Sequence, residues 1–111
     1  SDTVGVSTAK TISSVFSAVH SEFKEAEFGA HFHTTADAWT EKIDAAYANG
    51  CKRYDGAIKG YGGCPMAKDD LVGNMPTERL IDYFGADNLK LEKASFLEAF
   101  STAENIFNRY L

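Results

Sequence analysis

The sequence predicts an α/β fold in which helices alternate with parallel strands. Two observations predict it: some segments repeat apolar residues at spacings of three and four, and one segment between them alternates apolar with small or polar residues. The chain has 111 residues, 44% of them hydrophobic, which suffices for one compact core and not for two. We therefore expect a single domain.

The first half of the chain predicts a helix, a strand and a second helix. Residues 8–25 have the amphipathic period of a helix. Residues 27–34 alternate in period two and predict a strand of about seven residues. Residues 35–49 return to the helical period, and Asn49-Gly50 is a typical helix end.

The second half predicts one more strand and two helices. Residues 51–58 form a short expected strand, and the glycine-rich segment 60–63 after it predicts a loop. Pro76 suits the first turn of a helix that stops at Gly85, and residues 89–111 carry one broad apolar face. Two strands do not complete a parallel sheet, which needs more strands and helices on both faces.

Charge and cysteine content narrow the function classes. Eleven Lys and Arg residues against sixteen Asp and Glu give a net charge of −5 without a basic block, so we expect no nucleic-acid or membrane partner. No apolar run approaches the roughly 20 residues of a membrane span, and the first residues do not resemble a signal peptide. We expect a soluble, cytoplasmic protein whose two cysteines, Cys51 and Cys64, are free thiols.

His31 and His33 are the first candidate site residues. In a strand, residues i and i+2 project from one face about 7 Å apart, so two imidazoles can converge on one ion. The alternative is one hydrogen-bonded core histidine and one surface histidine. The pair ends a strand, where the strands of a (β/α)₈ barrel present their chemistry.

Two further candidates follow the second strand. Cys64, in a Gly-Gly-Cys-Pro segment, is either a thiol delivered to a site by a flexible loop or an incidental cysteine. The amide oxygen of Asn74 is either a metal ligand or a cap for the helix near Pro76. Cys51 begins a strand and is expected to be buried.

These motifs together resemble hydroxymethylglutaryl-CoA lyase, a member of the DRE-TIM metallolyase superfamily. The resemblance spans residues 1–85, with the motifs in the family's order. It is carried by Ser-Asp-Thr-Val-Gly-Val at the start, Ala-His-Phe-His at 30–33, Asp-Gly-Ala-Ile-Lys-Gly-Tyr-Gly-Gly-Cys-Pro at 55–65, and Gly-Asn at 73–74. Related isopropylmalate and homocitrate synthases share the histidines and Gly-Asn but not the Gly-Gly-Cys-Pro loop.

The resemblance implies cleavage of 3-hydroxy-3-methylglutaryl-CoA, or a related acyl-CoA, to acetyl-CoA and acetoacetate. It implies that His31, His33 and Asn74 bind a divalent cation, Mg²⁺ or Mn²⁺, which suits a mixed nitrogen and oxygen ligand set. Cys64 would be the acid that protonates the acetyl-CoA enolate. Asp2 would help to handle the hydroxyl proton, a role that His31 could share.

The chain departs from the family pattern in three places. Thr34 replaces an aspartate that would orient a ligand histidine. Lys59 and Tyr61 stand where smaller or apolar residues are usual, and residues 69–71 replace a small-residue loop. These departures bear on the substrate more than on the metal.

Length is the remaining difficulty, because a (β/α)₈ barrel normally needs about 250 residues. The resemblance therefore implies the C-terminal part of such a barrel, with two parallel strands and flanking helices, and without lyase activity on its own. Two alternatives remain open. One is a related Claisen-type acyl transferase; the other is a non-catalytic α/β fragment that associates with itself as a homo-oligomer through its open apolar faces.

Overall fold

The computed structural model describes residues 2, 4–62 and 72–110. The elements follow the predicted alternation of helices and strands. In chain order they are helix α1 (Ala9–Glu22), strands β1 (Gly29–Ala30) and β2 (His33–Thr34), helix α2 (Trp39–Ala48), strand β3 (Arg53–Tyr54), a 3₁₀ turn (Ile58–Gly60), strand β4 (Gly73–Asn74), and helices α3 (Thr77–Phe84) and α4 (Lys93–Tyr110).

Helix α1 confirms the helix expected over 8–25. It begins after Thr8, whose side chain accepts a hydrogen bond from the backbone of Thr11 while the Thr11 hydroxyl accepts one from the backbone of Thr8. This reciprocal pair satisfies two backbone groups that a helix start leaves unpaired. Ile12 and Phe16 are the buried residues of the helix.

The strand expected over 27–34 is divided into two short strands with different partners. β1 pairs with β3 in parallel, as predicted, with Ala30 opposite Tyr54. β2 pairs with β4 in antiparallel orientation, which the sequence did not predict. The division arises because the chain returns after the glycine-rich loop and Met75 donates a backbone hydrogen bond to Phe32, 3.1 Å long.

Helices α2 and α4 begin later than their apolar periods suggest, whereas α3 begins where it is expected. α2 begins at Trp39 rather than at residue 35, because Thr35 donates a side-chain hydrogen bond to Asp37 and residues 36–38 form a turn. α4 begins at Lys93 rather than at 89, because residues 86–90 also form a turn. α3 starts just after Pro76 and ends at Gly85, as expected.

The hydrophobic core lies between α1, α2, α3 and the strands. It consists of Ile12, Phe16, Ala30, Phe32, Ile43, Ala45, Ala46, Cys51, Met75 and Leu80. Cys51 is fully buried and free, as expected for a structural cysteine. No helix among the described residues is long and apolar enough to cross a membrane.

Candidate active site at the strand ends

The structure brings His31 and His33 together at the end of the β1–β2 segment. Their ring centroids are 5.4 Å apart and the ring planes are tilted by 58°. The side chain of His31 is 44% exposed, whereas His33 is only 6% exposed as a residue. Two imidazoles at this separation can approach one ion, so the predicted convergence is compatible with the geometry.

His33 has an open hydrogen-bonding position inside the protein. Its Nδ1 is buried and has no hydrogen-bond partner among the described residues. Burial, with the nearby positive charges of His31 and Lys42, lowers the pKa of His33, and the charge of Asp2 opposes this only in part. The imidazole is therefore neutral near pH 7 and keeps a lone pair, which is the form that binds a metal ion.

Asn74 lies directly opposite His33, because the two residues are partners in the β2–β4 register. Its side-chain Nδ2 donates hydrogen bonds to the carbonyl oxygens of Tyr61 (2.9 Å) and Gly62 (3.2 Å). The cap position of α3 is occupied by Pro76 without a side-chain hydrogen bond, so the alternative of Asn74 as a helix cap is wrong. With Nδ2 acting as donor, Oδ1 is the amide atom that can ligate a cation.

Two glycines allow the 3₁₀ turn to pack closely on β4. A Cβ atom at Gly60, which has φ of +67°, would lie 2.7 Å from the carbonyl oxygen of Asn74. A Cβ atom at Gly73 would lie 2.6 Å from the carbonyl oxygen of Gly60. Both distances are shorter than side chains tolerate, so the glycines make the contact between turn and strand possible.

Asp2 lies beside the histidine strand through a parallel bridge to Phe32. Its Oδ1 accepts a hydrogen bond from the backbone of Val6 (3.0 Å), and its Oδ2 accepts from Ser7 and from Lys42 Nζ (3.3 Å). Burial by itself would raise the pKa of Asp2, but the hydrogen bonds from Ser7 and Lys42 outweigh it and lower the pKa. The carboxylate is thus a weaker base than an ordinary aspartate, and its predicted role with the hydroxyl proton stays a prediction.

Sequence reasoning missed Lys42, which lies beneath the site. Its side chain is 2% exposed, and Nζ donates hydrogen bonds to the carbonyl oxygens of His33 (2.8 Å) and Gly5 (3.2 Å) as well as to Asp2. The ammonium group thereby ties α2 to the His33 backbone. The available signal was position: Lys42 lies in the apolar stripe that also contains Trp39, Ile43 and Ala46.

Asp55 was missed as well. Its Oδ2 is 3.3 Å from Nδ1 of His31, and its backbone N–H donates to the carbonyl oxygen of Ala30. Histidines that bind metals commonly place their second ring nitrogen against such a carboxylate. The signal was that Asp55 follows the strand that runs parallel to β1, so it arrives beside His31.

Some of the predicted site features lie outside the part of the chain that the structure describes. Cys64 and the departures at 69–71 lie outside the described residues, and the proposed role of Cys64 stays a prediction. In the described part of the chain, no three His, Cys, Asp or Glu side chains are placed to hold a metal ion together. The candidate ligand set is therefore two imidazoles and one amide, with Asp55 against one imidazole.

Comparison with known proteins decides the family. The sequence profile of the HMGL-like family matches residues 1–103. The chain belongs to the HMGL-like family. A 3-hydroxy-3-isohexenylglutaryl-CoA/hydroxymethylglutaryl-CoA lyase of Pseudomonas aeruginosa is 35% identical over 80 residues, which is 72% of this chain and 26% of that protein. The cytoplasmic 3-hydroxy-3-methylglutaryl-CoA lyase of Rattus norvegicus is 36% identical over 80 residues, 72% of this chain and 23% of the relative.

Solved structures agree with the family. An HMG-CoA lyase of Acinetobacter baumannii, in complex with coenzyme A and 3-methylmalate, has a TM-score of 0.64 at 30% identity, covering 81% of this chain and 28% of that one. A Bacillus subtilis HMG-CoA lyase has a TM-score of 0.68 at 26% identity, covering 82% and 30%. This HMGL-like chain therefore folds as a portion of a TIM (β/α)₈ barrel, and it spans about a quarter of the length of its curated relatives.

Proposed function

We propose that this HMGL-like chain forms part of a divalent-metal-dependent carbon–carbon lyase acting on 3-hydroxy-3-methylglutaryl-CoA or a related acyl-CoA. The observation that carries the proposal is the meeting of His31, His33 and Asn74 at the ends of β1, β2 and β4. The second support is that the relatives described above are lyases of this type. The placement of the chain in the C-terminal part of the barrel belongs to the same proposal.

The site residues fit a divalent cation. The buried Nδ1 of His33 lacks a partner among the described residues, and the strand register pairs His33 with Asn74. His31, His33 and Asn74 would hold Mg²⁺ or Mn²⁺, and carboxylate ligands from the rest of a barrel would complete the set. When bound, such an ion supplies Lewis-acid polarisation of the substrate's oxygen atoms.

The chain's own residues then divide the proton transfers. The substrate's hydroxyl loses its proton, the carbon–carbon bond breaks, and its electron pair passes to the acetyl-CoA carbon, which takes a proton. With Asp55 against Nδ1, one ring nitrogen of His31 is left, and it would either ligate the cation or receive the hydroxyl proton, since it cannot do both at once. Cys64 would donate the proton to carbon, and Asp2, beside the histidine strand, would help to handle the hydroxyl proton.

The proposal that the substrate is an acyl-CoA is supported by the substrates in the relatives' names. They include lyases of 3-hydroxy-3-methylglutaryl-CoA and 3-hydroxy-3-isohexenylglutaryl-CoA. An (R)-citramalyl-CoA lyase of Chloroflexus aurantiacus is 28% identical over 83 residues. Coenzyme A is bound in the Acinetobacter structure. The common element is a coenzyme A thioester, which we propose for this chain too.

The metal site is tested by titrating the purified chain with Mn²⁺ and recording free Mn²⁺ by electron paramagnetic resonance. We expect His33→Ala to weaken Mn²⁺ binding about tenfold or more, because it removes a ligand. His20→Gln is the matched control, since His20 packs between Phe16 and Phe28 away from the pair. Equal affinity of wild type and His33→Ala would remove His33 from the proposed site.

The reaction is tested in a chimera in which this chain's matched residues replace the corresponding segment of the Pseudomonas aeruginosa relative. We expect the chimera to release acetoacetate from 3-hydroxy-3-methylglutaryl-CoA, and His33→Ala in the chimera to reduce the rate by at least about 100-fold. The isolated chain should release none, since it spans about a quarter of the relatives. A chimera that melts like its parent but releases no acetoacetate would count against the function.

A further inference from the structure

We propose that helix α4 positions the Asn74 amide by fastening residues 58–62, which are the 3₁₀ turn together with Tyr61 and Gly62 and are called the turn below. The contacts run from Glu104 and Phe107 on α4 to Lys59 and Tyr61 on the turn, and from the turn's carbonyl oxygens to Asn74. The inference rests on the proposed function, because that function gives Asn74 its role as a ligand. Lys59, Tyr61, Glu104 and Phe107 are positioning residues in this scheme.

The first step is the contact between α4 and the turn. Lys59 Nζ is 2.6 Å from Glu104 Oε1 and lies 5.8 Å from the centroid of the Phe100 ring. The Tyr61 and Phe107 rings are stacked, with centroids 4.1 Å apart and planes 25° from parallel. An ion pair and a stacked aromatic pair thus join two neighbouring sites on the turn to one face of the helix.

These contacts differ from ordinary core packing. No described residue of α4 is buried, and Leu97, on the same helix, is 65% exposed. The helix therefore adds little to the core, while its polar and aromatic contacts meet at the turn. Glu104 and Phe107 also follow residue 103, where the match to the family profile ends.

The second step is the conformation of the turn. Lys59 has a left-handed backbone with φ of +55°, which a residue with a side chain adopts only when its surroundings hold it. Two acids hold it, since its backbone N–H donates to Glu78 Oε2 at 3.0 Å while its ammonium group meets Glu104. Lys59 and Tyr61 are also the two positions at which the family resemblance implies smaller or apolar residues.

The third step is the link from the turn to the site. The carbonyl oxygens of Tyr61 and Gly62 accept both hydrogen bonds from Asn74 Nδ2, and Gly62 also accepts from the Asn74 backbone at 3.1 Å. Any displacement of the turn therefore rotates or releases the amide. Because Oδ1 is on the same planar group, α4 sets the direction in which Asn74 presents its ligand atom.

The test uses the full chain with Glu104→Gln and Phe107→Ala combined. We expect the side-chain amide protons of Asn74 to exchange with water at least about threefold faster by NMR, because their hydrogen bonds open more often. We expect Mn²⁺ affinity to fall up to about tenfold. Phe107→Tyr, which keeps the stacked ring, should restore the Phe107 contribution to both values.

The matched control is Glu98→Gln combined with Tyr110→Ala, which makes the same kinds of change at exposed positions of α4. It should leave both measurements at wild-type values. Unchanged Asn74 exchange in the double variant overturns the inference, even if His33→Ala abolishes Mn²⁺ binding and so supports the site. Faster exchange in a chain that binds no Mn²⁺ supports the link from α4 to Asn74 and counts against the metal function alone.

Discussion

The region from α1 to α3 and helix α4 are stabilised in different ways. The buried cluster that contains Ile43 and Met75 lies within residues 12–80, and the Lys42 ammonium group joins the His33 carbonyl oxygen to the Asp2 carboxylate. Helix α4 has no buried residue in the described structure and meets the turn at Lys59 and Tyr61 through surface contacts. Burial in the region from α1 to α3 carries most of the stability, whereas α4 contributes contacts at the surface, through which we propose that it positions the site.

The candidate ligands divide along the same line. His33 is anchored in the stable region by a 2.8 Å hydrogen bond from Lys42 to its carbonyl oxygen. Asn74 depends on the turn that α4 contacts. We therefore expect the histidine to be nearly insensitive to changes in α4, and the amide to respond to them.

The largest expected effect separates the two regions directly. Ile43→Ala should lower the free energy of unfolding by about 3 kcal/mol, because Ile43 is fully buried and its truncation leaves a cavity. Leu97→Ala on α4 should lower it by less than about 0.5 kcal/mol. Urea unfolding followed by circular dichroism measures both. Equal losses in the two variants would show that α4 belongs to the same core.

The next largest loss of stability is expected from breaking the ion pair between Asp2 and Lys42. Asp2→Asn should lower the free energy of unfolding by about 2 kcal/mol at pH 7, because it leaves the buried Lys42 ammonium without its carboxylate. The same urea unfolding experiment measures this loss.

The sign of its pH dependence follows from the pKa. Burial alone would raise the pKa of Asp2, but the hydrogen bonds from Ser7 and Lys42 outweigh it and hold the pKa below its usual 3.8. The carboxylate therefore stabilises the fold above about pH 4, and this contribution is lost as the pH falls through the folded pKa. The difference between wild type and Asp2→Asn should be full at pH 7 and shrink toward pH 3. A difference that grows on acidification would contradict the assignment.

The smallest effect is expected from removing α4. A chain ending at residue 91 should be less stable by about 1.5 kcal/mol, since the truncation removes no buried residue but does remove a half-exposed ion pair, a stacked aromatic pair and the half-buried rings of Phe96 and Phe100. Thermal unfolding should remain cooperative with only a small shift in midpoint. Loss of the cooperative transition would show instead that α4 is required for the fold.

Much of the helical structure could be predicted because its causes are local. The apolar period of α1, the stop at Gly85 and the turn near Pro76 act within a few residues of the chain. The histidine pair was also predictable, since an i and i+2 spacing is a property of any strand. The division of the expected strand was not predictable, because it depends on where Met75 returns to pair with Phe32.

The ion pairs that the fold brings together could not be predicted from the sequence, for the same reason. Lys42 is separated from Asp2 by 40 residues and Asp55 from His31 by 24, so neither pair leaves a local pattern. Lys59 and Tyr61 stand where the family resemblance implies smaller or apolar residues, but no local pattern indicates their partners on α4. Two local signals were present: Asp55 directly follows β3, and Lys42 lies in the apolar stripe of α2.

The presence of the four helices, the imidazole pair and the family resemblance could be read from the order of residues alone, because each depends on neighbouring residues and on side-chain chemistry. The tertiary structure decided which strands pair, that Lys42 lies buried beneath His33, and that Asn74 faces His33 rather than capping a helix. It also decided that α4 reaches the turn at Tyr61. These outcomes depend on the return path of the chain, since distant segments meet only when the core between them is packed.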